Sequence, residues 1–322
     1  MQEVCWGIIG CGNVTEVKSG PGLQKVKGSR LVAVMRRRGD LAEDYARRHN
    51  VPRWYDDAQA LIDDPEVNAV YVATPPSSHK PYTLACARAG KPVYVEKPMA
   101  LNYAECQDMI QSCREAGVPL YVAYYRRGLP RFRKVKELID AGAIGAVRFV
   151  TVTLYQRPPE GGYDPQNLPW RLIPEIAGGG LFVDLACHTL DYLDYALGPI
   201  REAQGFAGNQ GGYYNAEDIV AGSWVFESGV RGVGTWCFTA FDRVDVNEVV
   251  GSAGKLRFST FGVEPVVLET EEGVTRFPID NPAHVQQPLV QTVVDDLLGT
   301  GTCPSTGESA ARTNWVMEQM TG

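Results

Sequence analysis

The chain has 322 residues, 44% of them apolar and 21% charged, with a formal net charge of -7. The length suits two domains, the composition is that of a globular protein, and the acidic balance excludes a dedicated nucleic-acid binder, which needs a basic face. No apolar run approaches the roughly 20 residues that span a bilayer, so no membrane partner is expected. Eight cysteines are scattered without a CxxC pair or Cys/His spacing, which reads as reduced thiols rather than a disulfide frame or zinc site. The N-terminus enters a strand at once, leaving no signal peptide, so the expected location is the cytoplasm.

The first third alternates short apolar runs with helical patterns. Runs at 4–9, 31–35, 69–73, 92–95 and 120–123 read as strands, and 41–49, 81–89 and 103–116 as the helices between them. Gly90 and Gly117 stand where a glycine releases a helix into the next strand. This alternation predicts right-handed crossovers and a doubly wound parallel sheet, with ligands beyond the carboxyl ends of the strands.

The first strand ends in GIIGCGNVT, where Gly10 and Gly12 supply G-x-G, Asn13 and Val14 follow, and Thr15 holds the third glycine position. Glycines at such a turn let the backbone approach a pyrophosphate. The alternative is an ordinary turn that uses glycine for positive φ; the placement after a first strand favours the nucleotide. Thr15 predicts looser helix–strand packing, and Gly20-Pro21 an early break in the following helix. The second strand runs into Met35-Arg36-Arg37-Arg38, with no acid before Asp40. An NAD site usually places an acid there, on the ribose 2′-hydroxyl. An arginine fork suits a 2′-phosphate and can stack on adenine. Arg36 and Arg37 therefore read as NADP ligands, with NAD the other candidate and a solvated basic turn the alternative.

The strand at 69–73 stops at Thr74-Pro75-Pro76, a stiff loop bordering the cofactor ribose, and His79 opens the next helix as a hydrogen-bonder rather than a catalyst. One strand later, VYVEKPMA (93–100) sets Glu96 and Lys97 before a proline. Desolvating charge costs several kcal/mol, so these two read as an ion pair facing the cofactor cleft.

Gly10-Cys11-Gly12, Thr74-Pro75-Pro76 with His79, and Glu96-Lys97-Pro98 together resemble the Gfo/Idh/MocA family of NAD(P)-dependent oxidoreductases. Trp170-Arg171, Gly178-Gly179-Gly180, Asp184, His188 and Cys303-Pro304-Ser305-Thr306-Gly307 extend the resemblance across nearly the whole chain. It implies an α/β fold: an N-terminal doubly wound Rossmann domain over 1–123 and a C-terminal α/β domain over 124–322. The second domain would carry a large, mostly antiparallel open sheet that often forms a dimer interface, and the C-terminal helix is free to pack back on the first domain. The resemblance also implies that Lys97 reaches the substrate oxygen and that Lys97-Pro98 is cis. It places Thr74, Pro75, His79, Glu96, Lys97 and Arg171 on the cofactor and Tyr125 and Trp170 on the substrate. The chain departs from the common pattern at Tyr124-Tyr125, where relatives often carry an asparagine-type residue.

The second half reads as a basic helix over 131–141, a strand at 147–155, and a Pro/Gly-rich loop at 158–169 that shapes the substrate cleft. Strands at 219–226, 230–238, 246–250, 256–258 and 266–269, separated by short turns, indicate antiparallel meanders, and a last helix covers 307–320. Within GGGLFVDLACHTLDYLDYALG (178–198), Asp184 and His188 are four apart and share a helix face that Asp191 continues. The glycine run would let backbone or substrate come close. A lone helical His is more often a core residue; the acid one turn back, the glycine run and a lysine that needs a partner favour function. Two ligands without a third make a poor metal centre, so none is expected.

Tyr124, Tyr125 and Tyr163 offer walls that are part apolar, part hydroxyl, suited to a sugar, cyclitol or diol. The constellation describes hydride transfer between NADP(H) and a carbinol carbon. Lys97 is the proton donor or acceptor once its site lowers its pKa, assisted by His188 and Asp184, which also bind substrate. The rivals are a catalytically silent NAD(P)-sensing regulator on the same fold and a purely structural subunit. A homodimer or homotetramer is expected.

Overall fold

The valine- and isoleucine-rich runs of the N-terminal third form a parallel sheet buried on both faces, the environment such runs require. Its strands are β1 (Val4–Ile9), β2 (Ser29–Met35), β3 (Arg53–Tyr55), β4 (Ala69–Val72), β5 (Val93–Val95) and β6 (Leu120–Val122), in the order β3-β2-β1-β4-β5-β6. The strand order reverses beside β1, so the carboxyl ends of β1 and β4 form the topological switch point. The computed structural model describes residues 1–322, which divide into one unit of Met1–Leu129 and Asn281–Ala311 and another of Pro130–Asp280 and Arg312–Gly322. No helix is long and apolar enough to cross a membrane, and none of the eight cysteines is in a disulfide.

In the first unit the helix after β1 breaks as expected: Asn13–Val17 ends and Gly20–Lys25 begins anew. A Cβ at Gly20 would lie 2.2 Å from the Thr15 carbonyl oxygen, so only glycine fits there. Thr15 does not loosen the packing. It is fully buried, and its hydroxyl donates to the Gly12 carbonyl at 2.8 Å. β3 was not apparent in the sequence, because an edge strand of three residues needs no apolar run. The returning helix Gln287–Leu297 drives Leu289, Val290, Val293 and Val294 into the core built on β1 and β2, each fully buried side chain being worth about 1.5–3 kcal/mol. Ser305 then pairs with β6, accepting from the Val122 N–H at 3.1 Å and donating its hydroxyl to the Val122 carbonyl at 2.7 Å. That pairing covers an edge that would otherwise be open.

The second unit carries β7 (Val147–Tyr155), β8 (Ile200–Gly208), β9 (Ile219–Phe226), β10 (Arg231–Cys237), β11 (Val244–Gly251), β12 (Gly254–Phe258), β13 (Val266–Thr270) and β14 (Gly273–Phe277). They form an eight-stranded sheet in the order β14-β13-β12-β11-β7-β10-β9-β8, antiparallel except where β7 meets β10. The two strands missing from the sequence reading, β8 and β14, are its two edges; an edge strand is paired on one side and tolerates polar residues on both faces. Helix Leu181–Leu197 covers one face, with Phe182 packed edge-on against Trp236 at 5.2 Å between centroids.

Candidate active site

The glycine turn sits at the switch point of the parallel sheet. Gly10 has φ +91°, and a Cβ there would lie 2.8 Å from the Thr74 methyl carbon, so the turn passes hard against the loop after β4. Gly12 is different. Its φ is -130°, and a Cβ would meet nothing closer than the Gly10 carbonyl oxygen at 3.8 Å. The space in front of Gly12 is open, as a pyrophosphate resting on the backbone requires. Asn13 and Val14 continue from it as the first residues of the short helix. Arg36 and Arg37 follow β2 as exposed guanidiniums without a side-chain partner, and Arg36 is close enough to oppose the burial that pushes the Cys11 thiol up to about 11. Arg38 is engaged by Asp40 at 2.6 Å. An open glycine at this turn fits a dinucleotide.

The loops after β4 and β5 are tied together by His79. Its ring is wholly buried, with Nε2 2.8 Å from the Thr74 carbonyl oxygen and Nδ1 3.1 and 3.2 Å from those of Pro98 and Met99. Burial pushes its pKa down, against the pull of those carbonyls and of Glu96. His79 thus holds the two loops from behind. The Lys97–Pro98 bond is cis.

The expected ion pair of Glu96 with Lys97 does not form. Glu96 Oε1 accepts from the Tyr71 hydroxyl and from Gln286 Nε2, both at 2.6 Å, and Oε2 accepts the Lys97 backbone N–H at 3.2 Å. The reason is strand alternation: Glu96 shares a side with Tyr94, while Lys97 falls on the opposite side with Val95. Glu96 is 7% exposed and turned into the unit, and Lys97 is half-buried at the carboxyl edge.

In the second unit, the last two glycines before helix Leu181–Leu197 are closed in by the protein itself, Gly179 by Val183 and the Glu217 carboxyl and Gly180 by the 216–217 segment. A Cβ at Gly180 would lie 2.7 Å from Ala216 Cβ and 3.0 Å from the Glu217 carbonyl oxygen. Glu217 Oε1 accepts the Gly180 N–H at 3.2 Å, and burial pushes this carboxyl up. Asp184 Oδ2 lies 3.3 Å from Arg171 Nε, and the Arg171 guanidinium rests 4.3 Å over the Trp170 ring. His188, 4% exposed, packs edge-on against Phe261 at 5.8 Å. Asp245 fixes the Phe261 turn by accepting the N–H groups of Thr260, Phe261 and Gly262 at 2.8, 2.6 and 3.0 Å. Tyr163 packs against Tyr213 and Tyr214, which anchors the 158–169 loop. In the first unit Tyr124 is buried, so it supplies no wall, and Tyr125 lies under the Arg126 guanidinium at 5.0 Å.

Residues 4–124 match the oxidoreductase family with an NAD-binding Rossmann fold, and residues 132–257 match the GFO/IDH/MocA C-terminal domain. An oxidoreductase of Formosa agariphila is 38% identical over 321 residues, covering 100% of this chain and 99% of the relative. The chain belongs to the GFO/IDH/MocA oxidoreductase family. The 1,5-anhydro-D-fructose reductase of Ensifer adhaerens is 30% identical, over 94% of this chain and 91% of the reductase. Among solved structures, the aldose-aldose oxidoreductase of Caulobacter crescentus complexed with glycerol superposes with a TM-score of 0.86 at 25% identity, over 99% of this chain and 96% of that one.

Within this GFO/IDH/MocA chain, the structure gathers Gly10, Gly12, Thr74, Pro75, Arg36 and Lys97 along one edge of the parallel sheet. In the other unit it joins Trp170, Arg171 and Asp184 by direct contact. Sequence reasoning missed Tyr71, Gln286 and Glu217. The first two carry no local signal, since their partner Glu96 lies 25 and 190 residues away. Glu217 sits in a turn of unremarkable composition.

Proposed function

We propose that this protein is an NADP-dependent dehydrogenase or reductase acting on a CH–OH group of a sugar, cyclitol or diol. The reading is carried by Lys97: a half-buried lysine at the same carboxyl edge of the parallel sheet as the open glycine turn. The bound nicotinamide supplies the hydride acceptor in one direction and the hydride donor in the other. Lys97, as the free amine, takes the hydroxyl proton while the carbinol carbon gives up its hydride; as the ammonium it returns that proton to the carbonyl oxygen. Asp184, braced by Arg171, and His188, braced by Phe261, assist by gripping neighbouring hydroxyls. The names of the relatives, a reductase of an anhydro-sugar and an oxidoreductase of aldoses, support a carbohydrate-like substrate.

The NADP preference rests on Arg36 and Arg37, two exposed guanidiniums where an NAD site has an acid. Cofactor contact by Thr74 and Pro75, and substrate contact by Trp170 and Tyr125, belong to the same reading. His79 and Glu96 act through the loops they hold, and Arg171 through Asp184. A silent NAD(P) sensor would need neither Lys97 nor His188. The test is a screen of 1,5-anhydro-D-fructose, common aldoses, myo-inositol and simple 1,2-diols in both directions, following reduced-nicotinamide absorbance with each cofactor. Turnover of any of them, faster with NADP(H), supports the reading; inertness toward all of them with either cofactor sinks it.

A further inference from the structure

We infer that Gln286 is a positioning residue for Lys97, and that it ties the helix of the glycine turn to the end of β5. The inference rests on the role of Lys97 proposed above. Gln286 precedes helix Gln287–Leu297 and is 1% exposed. Side chains at this position ordinarily accept from the first helical amides, yet Gln286 makes no such cap. Its amide is directed elsewhere. Nε2 donates to Glu96 Oε1 at 2.6 Å, and Oε1 accepts from the Tyr94 hydroxyl at 3.1 Å.

The backbone of the same segment holds the glycine-turn helix. The Gln286 N–H donates to the Lys18 carbonyl at 3.2 Å, and His284 Nδ1 lies 2.7 Å from the Val17 carbonyl oxygen. Residues 284–286 therefore grip the end of helix Asn13–Val17 with one set of bonds and Glu96 with the other. Glu96 in turn takes the Lys97 N–H. A buried carboxylate that loses one of three donors is left short of hydrogen bonds and must reorient or admit water. Because Glu96 accepts from the backbone of its neighbour, its reorientation displaces the base of the Lys97 side chain. The Tyr71 hydroxyl cannot replace the missing donor, being already on Glu96, and the Tyr94 hydroxyl loses its own acceptor with the same amide, so the whole Tyr94–Gln286–Glu96 chain must rearrange.

The test is a double-mutant cycle, run with the substrate turned over fastest in the screen above. Gln286→Leu should lower kcat roughly ten- to hundredfold, the scale of a misplacement of about 1 Å, with a much smaller change in the KM for NADP. Once Lys97→Ala has removed the lysine, Gln286→Leu should cost little more, whereas losses that multiply would overturn the inference. Gln286→Glu supplies a second reading. Its carboxyl can donate to Glu96 only when protonated, so its kcat relative to the unmodified enzyme should rise as pH falls; a flat ratio overturns the inference even if the leucine variant does not fold. Normal turnover by folded Gln286→Leu beside an inactive Lys97→Ala overturns this inference alone. Retained turnover in Lys97→Ala overturns the lysine mechanism and this inference with it.

Discussion

Glu96 and Lys97 are adjacent in sequence, and their side chains take opposite directions at the end of β5. The acid enters a network of neutral donors, and the lysine is left to the carboxyl edge. If Lys97 moves the proton, Lys97→Ala should lower kcat by about two to four orders of magnitude while NADP affinity in equilibrium titration stays nearly constant; near-normal turnover would remove lysine from the mechanism. The arginines after β2 divide in the same residue-by-residue way. Arg38 is bonded to Asp40, whereas Arg36 and Arg37 have no side-chain partner. A charge-assisted Arg–phosphate contact is worth on the order of 1.5–3 kcal/mol, roughly tenfold to a hundredfold in affinity. Arg36→Asp should therefore erase or reverse the preference for NADP over NAD, and Arg38→Ala should leave it alone. Equal binding of both cofactors by the unmodified protein would reduce the cluster to a solvated turn.

At the scale of elements, the βα turn after β1 separates two uses of glycine. Gly10 is demanded by positive φ and by Thr74, so a side chain there disturbs the fold itself. Gly12 is unconstrained by the protein. Gly12→Ala should keep its unfolding free energy within about 0.5 kcal/mol yet bind NADP at least tenfold more weakly; unchanged binding would mean the open space is not the pyrophosphate seat. The helix that follows is fastened to helix Gly39–His49 by Glu16, whose carboxyl is held down to about 2, chiefly by Arg48 and next by His49. The folded value lies below the ordinary 4.5, so this contribution is complete above that pH and is lost as pH falls toward about 2. Glu16→Gln should cost no more than about 1 kcal/mol at neutral pH, as an exposed pair does, and nothing at the acid end of that window; urea unfolding at the two extremes checks the sign. In helix Leu181–Leu197, Asp184 and His188 should act as a unit. The double alanine variant should then lose much less activity than the two single losses multiplied, and independent losses would separate them.

For the whole molecule, the face of the eight-stranded sheet away from helix Leu181–Leu197 remains the surface to account for. It exposes Phe206 at 87% and Val233 at 51% around a hollow of ≈ 390 Å³ lined also by Thr151, Thr153 and Ser223. Apolar side chains gathered on one open sheet face favour association with a second copy. Sedimentation at micromolar concentration should give at least a dimer, and Phe206→Glu should shift it toward the monomer; a monomeric unmodified protein would refute the assembly.

The central strands of the parallel sheet, the helices over 41–49, 81–89 and 103–116 and the positions at its carboxyl edge were legible in the sequence, whereas the short helix Ala58–Asp63 was not. Each legible feature follows from a local cause: strand periodicity, glycine where φ must be positive, proline where a loop must be stiff. The antiparallel strands between the sheet edges were legible for the same reason. The edge strands β3, β8 and β14 were not, because a strand paired on one side carries little hydrophobic signal. Nor could the sequence tell that residues 281–311 return to the first unit, or that Gln286 reaches Glu96 across 190 positions. Such partners are selected by the free energy of packing and of satisfying buried polar groups, and that depends on which segments meet in space, not on the pattern within any one of them.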